Sequence, residues 1–191
     1  MTPEPTTQDI RRAQAGDPTA FAQLVELYKD VVYNLALRMT NDRVLAEDLC
    51  QEVFLHLYQQ IGKFELGRRF KPWLYRVATN VAINRLKAQP PRHRSLDDSD
   101  QDADESGMEP AAPAASPLDQ VDKKEAATLV QRSVAELPLE YRTVVVLRYL
   151  KDLSYEEVAE TLGMPLGTVK VRLFRARAIL KDKLESLVPY R

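Results

Sequence analysis

Two carboxylates one helical turn apart, Asp48 and Glu52, are the first residues in this chain whose spacing suggests chemistry. They could share a divalent cation, as a hydrolase would need, or form an acidic docking stripe with Gln51 and Leu55. The metal reading is poorly supplied, because no nucleophile and base, and no further acids, complete a two-metal centre. Cys50 is the only cysteine, and the two histidines stand 37 positions apart, which gives no metal-ligand spacing. No metal, cofactor or catalytic residue is expected, and the chain reads as a non-enzyme. A second group is richer. Phe64, Arg68, Arg69, Phe70, Trp73, Arg76 and Asn80 put aromatic rings, guanidinium groups and an amide within 17 consecutive residues. Rings stack on unpaired bases and cations meet phosphates, as single-stranded nucleic acid binding requires. A third group, Thr168, Lys170, Val171, Phe174 and Arg175, repeats the mixture near the C-terminus.

These residues need elements to hold them, and the apolar spacing predicts helices throughout. Phe21, Leu24, Tyr28, Val32, Leu35 and Met39 recur every three or four positions, and no alternating strand pattern competes. On the next helix Ala46, Leu49, Cys50, Val53, Leu57 and Ile61 form a buried stripe. Asp48, Gln51, Glu52, Leu55 and Gln59 lie opposite. A leucine ringed by polar side chains on an outward face suits a docking site. Pro72 fits the first turn of a third helix, on which Leu74, Ala78 and Val81 share one side. Trp73, Arg76, Asn80, Asn84 and Lys87 share another, spanning about 80°.

The most specific local pattern is LSYEEVAETLGMPLGTVKVRLFRARAIL. Ser154 and Glu157 make a capping box that starts a helix. Ala159 is small where two helices must cross, Gly163 supplies the turn, and Val169 anchors a second helix, the spacing of a helix-turn-helix. Val169, Leu173, Ala176 and Leu180 form its buried side. Thr168, Lys170, Val171, Phe174, Arg175 and Ala178 point outward, flanked by Arg172 and Arg177, and Arg175 could read guanine edges in a major groove.

The formal net charge of −1 conceals unlike segments. Residues 1–90 are net +2, residues 91–122 net −7 and residues 123–191 net +4. The acidic stretch is rich in Pro, Ala, Ser and Asp and has too few large apolar residues to offset the entropy of ordering. It is expected to be a flexible linker between two small helical domains, 1–90 and 123–191. No apolar run approaches the roughly 20 residues of a membrane helix, and the N-terminus lacks a signal-peptide core. A cytoplasmic protein without membrane insertion is therefore expected.

With these segments placed, the sequence resembles the extracytoplasmic-function sigma factors, the two-domain group of bacterial RNA polymerase specificity subunits. The resemblance rests on AEDLCQEVFLHLY, WLYRVATN, ELPLEYRTVVVLRYL and the helix-turn-helix run, in that order. It implies an all-α chain of sigma region 2 and sigma region 4. Region 2 would dock on the clamp helices of the polymerase largest subunit and open the −10 element; region 4 would bind the β flap and the −35 element. By motif position, the dock falls on Asp48, Gln51, Glu52 and Leu55. Melting and readout of the −10 strand fall on the loop from Gly62 to Phe70, including Phe64, Arg68 and Arg69, and on Trp73, Arg76 and Asn80. The −35 contacts fall on Thr168, Lys170, Val171, Phe174 and Arg175. Asn84 and Lys87 stand where the family often has Asp and Arg, and Val171 where it often has Ser. An anti-sigma factor and a role in stress response are also implied. The acidic linker would occupy a basic nucleic-acid channel, or else serve as a solvated spacer.

Two other readings make different expectations. An ordinary helix-turn-helix regulator would bind duplex DNA by itself, and a helical nuclease using Asp48 and Glu52 would cleave it with a divalent ion.

Overall fold

The computed structural model describes residues 4–88 and 117–187, which include eight α-helices and no strand. Most of the linker stretch 91–122 lies outside the described residues. Its last six residues are helical, because α5 already begins at Pro117.

The N-terminal unit is α1 (Thr7–Gln14), α2 (Pro18–Thr40), α3 (Arg43–Gln60), a 3-10 turn (Ile61–Lys63) and α4 (Phe70–Ala88). Each start has a local cause. Thr6 and Asp9 form a capping box on α1, Asp17 caps α2 with Pro18 following, and Asp42 caps α3. Asn41 ends α2 in the left-handed region at φ 53°, a conformation asparagine tolerates better than most residues. The apolar periodicity then does what it predicts. Leu24, Tyr28, Val32, Leu35 and Met39 of α2 meet Ala46, Leu49, Val53 and Leu57 of α3 in one core, all essentially inaccessible to water. Cys50 is only half-buried, at the edge of that stripe.

The C-terminal unit is α5 (Pro117–Ala135), α6 (Leu139–Val145), a π turn (Val146–Leu150), α7 (Tyr155–Leu162) and α8 (Leu166–Leu187). Its core is Val144, Val146, Leu147, Val158, Val169, Leu173 and Ala176. The π turn and Asp152 at φ 54° redirect the chain into α7. Arg148 braces this corner: it donates to the Leu153 carbonyl at 3.0 Å and lies over the rings of Tyr149 and Tyr155.

The two units touch. α4 lies against α7, and α2 against α5 and the π turn. Arg142 of α6 donates to the Met39 carbonyl at the end of α2. Arg38 donates to Gln131 Oε1, and Gln131 Nε2 donates to Asn41 Oδ1 at 3.2 Å.

Candidate nucleic-acid interface

On α3 the outward stripe is where the helical wheel puts it. Asp48, Gln51 and Leu55 are exposed and Glu52 is half-exposed, all on the side away from the α2 contact. Leu55 is 64% exposed, and Val44 and Tyr58 extend the apolar part of the stripe at either end. An acidic, amide-bearing face with an apolar thread suits a protein partner better than a nucleic acid, since phosphates repel carboxylates. Among the described residues no cluster of three or more His, Cys, Asp or Glu is placed to hold a metal.

The loop between α3 and α4 is built by aromatic packing. Phe64 packs on Phe70 at 5.4 Å and on Trp73 at 5.1 Å, and Phe70 also meets Trp73 at 5.5 Å and Tyr28 at 5.4 Å. Phe64 is 4% and Phe70 1% exposed. This corrects the expectation that both offer ring faces for stacking: they close the loop onto the core, and Trp73 alone of the three is half-exposed. Gln14 fixes the same turn from α1, donating to the carbonyls of Ile61 and Phe64 at 2.9 and 2.8 Å. Glu4 accepts the Phe70 N–H at 3.1 Å, placing a carboxylate at the start of α4. With the loop pinned at its base, Arg68 and Arg69 project at its tip, and Gly67, at φ 94°, makes the bend just before them. Arg68 pairs with Glu65 at 2.7 Å and Arg69 with Glu157 at 2.5 Å. Arg76 and Asn80 are exposed on α4, one and two turns beyond Trp73.

The helix-turn-helix forms as its sequence dictates. Ser154 Oγ accepts from the Glu157 N–H at 3.1 Å, and the Glu157 carboxylate accepts from the Ser154 N–H at 2.8 Å. Gly163 ends α7 at φ 61°. Val169, Leu173 and Ala176 of α8 are fully buried, while Leu180 is only half-buried as the helix runs past the core. Outward, Lys170, Val171, Phe174 and Arg175 are exposed and Thr168 half-exposed. Phe174 is 70% exposed with Lys170, Arg175 and Arg177 around it. A shallow groove beside this face is lined by Glu140 and Tyr141 of α6 and by Thr168, Val171, Arg172 and Arg175 of α8. Glu140 holds Arg172 at 3.3 Å.

The comparisons with known proteins follow this geometry. The family model described as Sigma-70 region 2 matches residues 24–90, and that described as Sigma-70, region 4 matches residues 127–180. The chain is 38% identical over 185 residues to the ECF RNA polymerase sigma factor SigW of Bacillus subtilis, covering 93% of this chain and 96% of the relative. It is 36% identical to the ECF RNA polymerase sigma-E factor of Escherichia coli, covering 94% of each. The chain belongs to the extracytoplasmic-function sigma factors. Its solved structural neighbours carry the same fold. CnrH, in complex with the cytosolic domain of CnrY, has a TM-score of 0.66 at 22% identity, over 94% of this chain and 97% of that one. The sigma factor RpoE of Bartonella quintana, in complex with the anti-sigma factor NepR, has a TM-score of 0.60 at 26% identity, over 86% and 96%.

This sigma factor is thus an RNA polymerase specificity subunit acting in transcription initiation, with an all-α fold. Among its described residues no helix is long and apolar enough to cross a membrane. Several residues that shape these surfaces are not visible in local spacing. Gln14 and Glu4 act on the loop from nearly 50 and over 60 residues away. Glu140 and Tyr141 lie within ELPLEYRTVVVLRYL, a run that marks the family without naming a role for either.

Proposed function

We propose that this sigma factor divides promoter opening among three surfaces. Asp48, Gln51, Glu52 and Leu55 dock on the clamp helices of core RNA polymerase. Arg68, Arg69, Trp73, Arg76 and Asn80 capture the unpaired −10 strand. Thr168, Lys170, Val171, Phe174 and Arg175 enter the −35 major groove, and region 4 also meets the β flap. Phe64 leaves this list as a contact residue and supports Trp73 from beneath. The protein acts in the bacterial cytoplasm as a binding subunit rather than an enzyme, and an anti-sigma factor holds it until a stress releases it. Its three parts are residues 1–90, the acidic linker 91–122 and residues 123–191.

The observation that carries the reading is Phe174, 70% exposed among cations on a helix whose opposite side is fully buried. A solvated helix has no use for that ring, whereas a groove-reading helix can set it against a thymine methyl. In vitro transcription with core polymerase and a promoter library, with and without the protein, tests the whole reading. Initiation at defined promoters only when the protein is present is the expected result. Initiation that ignores the protein, or divalent-ion-dependent DNA cleavage by it, refutes the proposal.

A further inference from the structure

Trp73 is the only tryptophan of the chain and the ring proposed above to meet an unpaired base. It rests on Phe64 at 5.1 Å and on Phe70 at 5.5 Å, and those two rings meet each other at 5.4 Å. Each supporting ring has its backbone held by one polar side chain from the N-terminal segment. Gln14 Nε2 donates to the Phe64 carbonyl at 2.8 Å and to the Ile61 carbonyl at 2.9 Å. Glu4 Oε2 accepts the Phe70 N–H at 3.1 Å. The five residues between the two rings, 65–69, are all exposed.

Both side chains answer groups that the helices leave open. Carbonyls at the end of a helix and N–H groups at the start of one have no partner within it. α3 runs into the 3-10 turn through Ile61 in the right-handed region, without the left-handed residue that closes many helix ends. Phe70 is the first residue of α4. Water would satisfy the same groups, but it would not tie them to a fixed element. Gln14 ends α1, and Glu4 stands two residues before its N-cap, Thr6. α1 is itself seated by its capping box and by Ile10 and Ala13 in the core. A bond to a seated helix transmits position as well as energy.

We propose that Glu4 and Gln14 are positioning residues for Trp73, a two-point clip by which the N-terminal segment sets where that ring is held and, through it, which −10 base is preferred. The clip is a property of the free chain; its consequence for base choice rests on the sigma reading. Stacking by itself tolerates any sequence, because every base has a π-face. Discrimination at Trp73 therefore depends on where the ring is held, and loosening it should blunt preference more than it weakens binding. Loss of one such hydrogen bond shifts the balance between held and released loop by about fivefold.

The test uses the full chain. Gln14→Met and Glu4→Met cut each bond at nearly constant size, and Glu4→Gln retains an acceptor. Ile10→Val loosens the seat of α1 in the core without touching either bond. Because Trp73 is the sole tryptophan, acrylamide quenching of its fluorescence reports the ring directly. Quenching should rise in Gln14→Met and Glu4→Met and stay at the parent's level in Glu4→Gln and Ile10→Val. Initiation with core polymerase is then measured on a library randomised across the −10 element. Preference at one −10 position should fall by about fivefold in both Met variants, with −35 preference unchanged, and Glu4→Gln should keep it. If neither Met variant frees the ring, or if Ile10→Val frees it as much, the clip is overturned. Should Gln14→Met fail to fold, the contrast between Glu4→Met and Glu4→Gln decides. A ring that loosens while −10 preference stays sharp overturns the clip's part in base choice. Failure of the parent itself to initiate overturns the sigma reading instead.

Discussion

The Arg69 guanidinium lies 2.5 Å from the Glu157 carboxylate, joining residues 88 positions apart. The same carboxylate accepts from the Ser154 N–H and so caps α7. One side chain starts the helix-turn-helix and holds the tip of the loop between α3 and α4.

Glu157→Ala should therefore cost about 1 kcal/mol of stability through the lost cap and also release Arg69. The Ser154 N–H, then Arg69, holds the Glu157 carboxyl below its ordinary value of 4.5. Its contribution is present above that value and is lost as pH falls through the lowered one. Urea melts of parent and variant at pH 7 and pH 3 check this. A stability difference that persisted undiminished at pH 3 would contradict it.

Asp48→Lys and Leu55→Asp should weaken association with core polymerase and leave the fold intact, because both positions point away from the α2–α3 core. Loss of a well-desolvated contact costs about 2 kcal/mol or more. Co-purification with core polymerase, alongside circular dichroism, is the measurement. Undiminished binding removes α3 from the dock.

Asn80→Ala should impair promoter opening without loss of stability, since Asn80 is exposed. Trp73→Ala should do both, because the ring stacks on Phe64 and Phe70 as well as facing outward. Base stacking on an aromatic ring is worth about 1 to 3 kcal/mol. Permanganate footprinting on duplex and pre-melted templates separates opening from binding, and a pre-melted bubble should rescue Asn80→Ala. Absence of that rescue argues against a melting role.

Arg175→Ala should relax preference at one −35 position by about 1 to 3 kcal/mol, because its two-pronged donors match a base edge. Lys170→Ala should weaken all sequences alike and lower the salt slope by about one, as a phosphate contact does. A −35 substitution series at two salt concentrations distinguishes them. Uniform weakening by Arg175→Ala would transfer the readout to Phe174 or Val171.

What could be read in the sequence is what local periodicity and capping decide. Leu49, Val53 and Leu57 are buried because they share one side of a regular helix, and Ser154, Glu157 and Gly163 mark the ends of α7 by their own bonding and backbone conformation. The loop before α4 escaped this logic. Nothing in its spacing tells that Phe64 and Phe70 fold inward, since that depends on Tyr28 of α2 and Gln14 of α1 waiting beneath them. Tyr75 and Thr79 are likewise buried on a side of α4 that the wheel does not explain. The bond from Lys151 to the Val31 carbonyl, 120 positions earlier, has no local signal either.

The tail of α8 is fastened to the end of α5, where Lys183 pairs with Glu136, and the two helices pack along the same stretch. Gln131 sits one turn back on α5, bonded to Arg38 and Asn41 of the N-terminal unit. The helix that would lie in the DNA groove and the helix that grips the other half of the molecule are thus two arms of one lever. A displacement of the first would therefore be passed to the second through Lys183 and Glu136, and from there to Gln131 and the N-terminal unit.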